Sequence, residues 1–276
     1  MINKYFFLFF TLFLLTACVG PSTQSLIDSA DQQAASSGFS KEIIGDKYFD
    51  LITYKKFIAS DSLIIYIEGD GKGWVTRTQI SQNPTPHNPV GLYLALIDNK
   101  RSNIAYISRP CQFHLSRSQQ FCTSKYWASH RYSDAVIAAT NHVISELKRQ
   151  SGAAKITLIG FSGGATVALL AATRRDDVEL VKTVAGNVDH QAFTQIHKVT
   201  PLSGSLNPSS YPNQLSKIDQ IHFVGENDKV VPREIFDSYY QLVGGRCNKL
   251  KVVDGVSHGS GWQDSWPKLN NIEPDC

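Results

Sequence analysis

Five residues, Gly160-Phe161-Ser162-Gly163-Gly164, carry the strongest chemical signal in this chain. They directly follow the apolar run Ile156-Thr157-Leu158-Ile159 and precede an Ala- and Leu-rich stretch from Ala165 to Ala172. A buried strand, a sharp turn with serine at its tip and then a helix form the setting in which G-x-S-x-G presents a nucleophile. The tip sits in strained backbone, and side chains at the flanking positions would collide with strand and helix, so glycine is required there. The helix that follows aims its N-terminal dipole at the serine, where negative charge would develop. A serine hydroxyl is a weak nucleophile at neutral pH. It needs an imidazole to take its proton as it attacks an acyl carbon, and a carboxylate to fix the imidazole's tautomer. Such chemistry runs through an acyl-serine and calls for no metal or organic cofactor; no Cys-x-x-Cys or Cys/His spacing suggests zinc.

The chain must supply elements that bring such groups together. Its 276 residues suffice for one large α/β domain or two small ones, and 42% hydrophobic residues are ordinary for a globular core. A net charge of +3 with no dense Lys/Arg tract argues against a nucleic-acid partner. Residues 42–58 read as an antiparallel hairpin. Strand-like runs follow at Leu63–Ile67, Ile104–Ile107, Ile156–Ile159, Leu180–Val184, Ile221–Val224 and Leu250–Val253. Most are continuously apolar and β-branched, as suits strands buried on both faces. Helical patterns lie between them at Ser133–Arg149, Ala165–Arg174 and Pro232–Val243. The alternation predicts an α/β fold with a doubly wound, mostly parallel sheet. A loop-rich insertion near 188–217, with prolines at 201, 208 and 212, breaks the rhythm and is too long for a plain connection.

The elbow in this setting resembles the α/β-hydrolase superfamily of serine hydrolases, over roughly residues 42–272. The family places nucleophile, acid and histidine in that chain order, each after a strand. The resemblance implies Ser162 as nucleophile. The acid is Asp228, in Gly225-Glu226-Asn227-Asp228-Lys229-Val230-Val231-Pro232, with Glu226 as fallback, and the base is His258, in Gly255-Val256-Ser257-His258-Gly259. It implies an oxyanion hole from the backbone N–H of Gly163 and a second N–H after the third strand. There the family often has His-Gly-x-Gly and this chain has Glu68-Gly69-Asp70-Gly71. That alignment makes Asp70 the second donor, with Gly71 as alternative, provided the Asp70 carboxylate turns away from the oxyanion. The insertion falls where related folds place a cap over the active site. The other seven histidines lack a comparable setting. Trp74, Trp262 and Tyr211 are candidates to wall an acyl pocket, while Arg109 either meets a substrate carboxylate or pairs with a structural acid. Trp127, Arg131 and Tyr132 carry the same ambiguity.

The N-terminus reads as an export signal. Lys4 is a short positive region, Tyr5 to Leu15 an apolar one too short to span a bilayer comfortably, and Leu15-Thr16-Ala17-Cys18 resembles a bacterial lipobox. That resemblance implies a signal peptide over 1–17, cleavage before Cys18, diacylglyceryl modification and acylation of that cysteine, and a domain outside the cytoplasm in the cell envelope. Val19 rather than aspartate after Cys18 favours the outer membrane of a Gram-negative host. Residues 18–40, rich in Ser, Gln, Ala and Asp, read as a flexible tether with a short helix near Ser25–Ala34, ahead of the domain at 41–276. The remaining four cysteines, in an exported chain, argue for two disulfides. Of three pairings, Cys111–Cys122 with Cys247–Cys276 needs the fewest long crossings. The expected activity is hydrolysis of a small carboxylic ester, with thioester or amide as variants. The alternatives are a non-catalytic binding scaffold on the same fold and acyl transfer to an acceptor other than water.

Overall fold

The computed structural model describes residues 20–115, 121–274 and 276. The expected signal segment 1–17 and Cys18 lie outside the described residues. Eight strands form one sheet in the order β1-β2-β4-β3-β5-β6-β7-β8. They are β1 (Ser40–Gly45), β2 (Asp50–Lys56), β3 (Ser62–Ile67), β4 (Asn103–Ile107), β5 (Lys155–Phe161), β6 (Val178–Val184), β7 (Asp219–Gly225) and β8 (Asn248–Val253). The hairpin β1–β2 and the pair β2–β4 are antiparallel; every other pair is parallel.

The period-two rule of a strand sorts β3 between two apolar layers. Leu63, Ile65 and Ile67 join a cluster that includes residues of α3 (Asp134–Ser151), α4 (Gly163–Ala172) and α7 (Arg233–Val243). Ile64 and Tyr66 join the opposite cluster with residues of α1 (Thr23–Ser36), α2 (Val90–Leu96) and α8 (Trp262–Leu269). Both faces of the sheet are therefore covered, which explains the continuous apolar runs in the central strands.

Two segments differ from expectation. The stretch read as a tether is, from Thr23, a packed helix: Ile27, Ala30 and Ala34 recur on one face and are buried. Ser22 caps it, and Asp31 accepts from the Tyr54 hydroxyl at 2.6 Å. Small residues at the contact let a mostly polar helix approach the sheet. The insertion after β6 is more regular than expected. It contains α5 (His190–His197), a 3-10 turn at Pro208–Ser210 and the single turn α6 (Pro212–Leu215). The Asp189 carboxylate caps α5, accepts from Asn207 at 2.8 Å within the insertion, and accepts from Ser238 of α7 at 2.8 Å.

Cys111 is bonded to Cys122 and Cys247 to Cys276, with Cα–Cα distances of 5.6 and 5.7 Å. Among the described residues no helix is long and apolar enough to cross a membrane.

Candidate active site

The strand order sets the position of the site. The chain runs from β3 to one side, into β4, and returns to the other side for β5. The segments leaving the C-terminal ends of β3 and β5 thus diverge, and a crevice opens at this switch point. Glu68-Gly69-Asp70-Gly71 leaves β3, and Ser162 stands immediately beyond β5.

Ser162 has φ +51° and ψ −118°, a conformation that costs free energy, at the C-terminal end of the central strand β5. Its amide donates to Val184 O at 2.9 Å, and its carbonyl accepts from the amides of Ala165 and Asn187 at 3.1 and 3.0 Å. These bonds over-determine the turn. The close approach behind it requires glycine: a Cβ on Gly164 would run into the carbonyl oxygens of Ile67 and Glu68.

The structure brings together the three residues named from sequence. His258 Nε2 lies 3.1 Å from Ser162 Oγ, and His258 Nδ1 lies 2.8 Å from Asp228 Oδ2. An ionised carboxylate only accepts, so Nδ1 carries the proton and Nε2 is left to accept from the serine hydroxyl. The Asp228 side chain is fully buried, and its other oxygen accepts the amides of Val230 and Val231, both at 2.8 Å. Trp262 Nε1 donates to the His258 carbonyl at 3.0 Å, and Asn88 donates to Gly259 O at 2.9 Å, holding the histidine loop from both sides. Glu226, the fallback acid, instead accepts from Gly255 N at 2.9 Å and stays exposed.

In the loop after β3, several amides are already used. Glu68 N donates to Ile107 O, Gly69 N to the Glu68 carboxylate and Lys72 N to Pro84 O. Those of Asp70 and Gly71 have no partner among the described residues, nor has that of Gly163 at the first turn of α4. Glu68, where the resemblance would put histidine, is buried. Its carboxylate also accepts from Gly91 N and Leu92 N at 3.2 and 3.1 Å and so caps α2. Burial pushes its pKa up, against the pull of those amides.

The Asp70 carboxylate is held by three groups. Arg109 reaches Oδ1 at 2.9 Å, while Arg131 and the Tyr132 hydroxyl reach Oδ2 at 2.8 and 2.7 Å. Burial alone would raise its pKa, but the two guanidinium groups outweigh that and hold it below the ordinary range. Its charge is therefore engaged by arginine. Arg109, left open by sequence, pairs with this structural acid.

A cleft of about 550 Å³ lies over these groups, lined by Ser162, His258, Gly69, Asp70 and Gly71. Of the expected aromatic walls, Trp74 lines it. Trp262 does not: its ring is buried in the apolar cluster on the α8 face of the sheet, and its indole N–H is satisfied by the His258 carbonyl. Tyr211 packs against the core cluster under α4 and α7 instead. Trp127 is likewise buried, donating to Ser81 O at 3.0 Å. Among the other histidines, His87 lines the cleft, its pKa lowered by burial and by Lys72. Sequence reasoning missed Phe193 of α5, Asn187 after β6 and Val230 as cleft residues. Only the position of the insertion hinted at Phe193.

Neither a protein-family model nor a curated protein matches the sequence. Solved structures do match in shape. An esterase of Pyrococcus furiosus superposes with a TM-score of 0.59 at 17% identity, over 86% of this chain and 92% of that one. An alpha-beta serine hydrolase homologue of Coxiella burnetii gives 0.56 at 16%, over 83% and 93%. A CIB-like hydrolase of Thermoplasma acidophilum gives 0.53 at 16%, over 84% and 95%. With the eight-stranded, mostly parallel sheet and its flanking helices, these likenesses identify the architecture of this chain as the α/β-hydrolase fold.

Proposed function

We propose that this protein is a serine esterase that cleaves carboxylic esters through an acyl-serine, and that it is anchored to the bacterial envelope by lipid on Cys18. The observation that carries the catalytic reading is the unbroken hydrogen-bonded line from the Asp228 carboxylate through His258 to Ser162 Oγ, at 2.8 and 3.1 Å. Its open end faces the cleft.

In this reading Ser162 Oγ attacks the ester carbonyl carbon as His258 Nε2 takes the hydroxyl proton, and Asp228 stabilises the imidazolium. The oxyanion is met by the amides of Gly163 and of Asp70 or Gly71, with the dipole of α4 behind them. The intermediate collapses as the imidazolium returns the proton to the leaving alcohol. Water, activated by the same histidine, then releases the acid and restores Ser162. The neighbours in shape, an esterase and a serine hydrolase homologue among them, support this assignment.

A fluorophosphonate probe should label Ser162, and Ser162→Ala should lower kcat by a factor on the order of 10⁶. Folded protein that does not react with the probe would favour the scaffold reading. Anchoring is tested by the same chain expressed with labelled palmitate: label should enter at Cys18, and Cys18→Ser should release the protein from the membrane fraction.

A further inference from the structure

Gly20 lies at the lip of the cleft. A methyl group on Gly20 would stand 4.0 Å from His87 Cε1, and His87 lines the cleft together with Ser162. Beside that cleft lies a second depression, walled by Pro21, Thr23 and Leu26 at the start of α1 and by Val75. Lys72 and His87 belong to both. The cysteine at position 18 is two residues before Gly20, and two residues of extended chain span at most about 7 Å. A lipid on that cysteine would therefore enter the bilayer next to the mouth of the active site.

The lips themselves have the chemistry of an interfacial surface. Trp74 and Val75 on one side are 41% and 53% exposed, and Val230 on the other is 46% exposed. Exposed cations flank them: Lys72 and Arg77 on the first lip, Lys229 on the second, none in an ion pair among the described residues. From Gly71 to Ile97 the sequence has no Asp or Glu. A tryptophan with aliphatic neighbours inside a cationic fringe suits the headgroup region of an anionic bilayer.

We infer that the face bearing the cleft docks on an anionic phospholipid bilayer, and that the ester cleaved is an acyl ester of a lipid drawn from that bilayer. The inference rests on the anchored-esterase reading above. Docking places Ser162 over the membrane surface. The acyl group passes from the lipid's ester oxygen to Ser162 Oγ, the lipid alcohol leaves with the proton from His258, and water then frees the fatty acid.

The test uses the full chain reconstituted into phosphatidylethanolamine–phosphatidylglycerol vesicles with brominated acyl chains, which quench indole at short range. Trp74 is the reporter, since Trp127, Trp262 and Trp266 are no more than 7% exposed. Its emission should be quenched, and Trp74→Phe should abolish that quenching. The double variant V75D/R77E lies outside the cleft lining. It should hydrolyse a soluble nitrophenyl ester at the normal rate but vesicle lipid about tenfold or more slowly, from lost apolar insertion and reversed charge. Incorporated protein whose Trp74 emission stays unquenched, or a double variant that attacks vesicle lipid normally, overturns the docking. Failure to turn over the soluble ester strikes the esterase reading instead. Failure to enter vesicles strikes the anchor and this inference with it.

Discussion

The Asp70 carboxylate occupies the space where a side chain on Gly163 would be: a Cβ built there overlaps both carboxylate oxygens. In the proposed esterase, the glycine after Ser162 thus serves the loop after β3 as well as the turn. Gly163 opens α4, while Asp70 is pinned from the far side by Arg109, Arg131 and Tyr132 and cannot retreat cheaply.

Gly163→Ala is therefore expected to displace the loop after β3 rather than unfold the protein, since alanine suits a helical position. Loss of one oxyanion donor costs about 3 kcal/mol, so kcat/KM on a soluble ester should fall roughly 100-fold. Far-UV circular dichroism should stay close to the parent, while the melting temperature should fall, because the displaced carboxylate strains its bonds to Arg109, Arg131 and Tyr132. Unchanged kcat/KM would remove Gly163 and the Asp70 loop from the oxyanion hole.

Asp70→Asn tests the arginine clamp. It would leave two guanidinium groups, whose side chains are 5% and 13% exposed, sharing no anion. Stranding a buried charge in this way costs about 3–5 kcal/mol, to be read as a lower midpoint in urea. Adding Arg131→Met to that variant should recover part of the loss, because one of the stranded charges is gone. If Asp70→Asn alone were neutral, the clamp would not be a stability element. The folded-state pKa of Asp70 is depressed, so its contribution is present above the unfolded carboxylate pKa and lost as pH falls through the folded value.

The disulfide Cys247–Cys276 ties the chain's last residue to the start of β8 across 29 positions. Closing a loop of that length removes entropy worth roughly 3–4 kcal/mol from the unfolded chain. Cys247→Ser with Cys276→Ser should lower stability by that order. It should leave kcat on a soluble ester unchanged, because β8 still delivers His258. Loss of activity in folded protein would show that the bond positions the histidine loop.

Much of this architecture could be read from the sequence because the information was local. Six apolar runs became the six strands from β3 to β8, and the turns after β5, β7 and β8 carry Ser162, Asp228 and His258 in order. What was missed depends on distant partners. The short helix α2 buries residues on nearly every side, so Val90-Gly91-Leu92-Tyr93-Leu94 shows no amphipathic period. Its cap is Glu68, whose carboxylate comes from the end of β3. The helix α8 contains Pro267, which reads as a breaker. The anion for Arg109 and Arg131 is Asp70, and no spacing in the sequence links these three positions.

His222, in the middle of β7, gives the fold an acid limit that can be located. Its ring is buried between Phe236 and Tyr239, with centroids at 5.0 and 5.5 Å. Nε2 lies 3.1 Å from Gln220 Oε1, which can only accept, so Nε2 carries the proton; Nδ1 then accepts from the Thr183 hydroxyl at 2.8 Å. Burial lowers its pKa from 6.5 to about 3. Between these values the unfolded chain binds a proton that the folded chain refuses, so stability is complete above 6.5 and drains away as pH falls toward 3. The slope approaches about 1.4 kcal/mol per pH unit, which amounts to roughly 2 kcal/mol lost by pH 5. Asp70 destabilises with the same sign in acid, so the parent curve alone does not isolate the histidine. His222→Gln keeps a polar group against Thr183 and removes the titration. Urea midpoints measured from pH 7 to pH 4 should fall less steeply in this variant than in the parent, whatever its stability at pH 7. Parallel curves would mean that His222 takes up its proton in the folded state as readily as in the unfolded one.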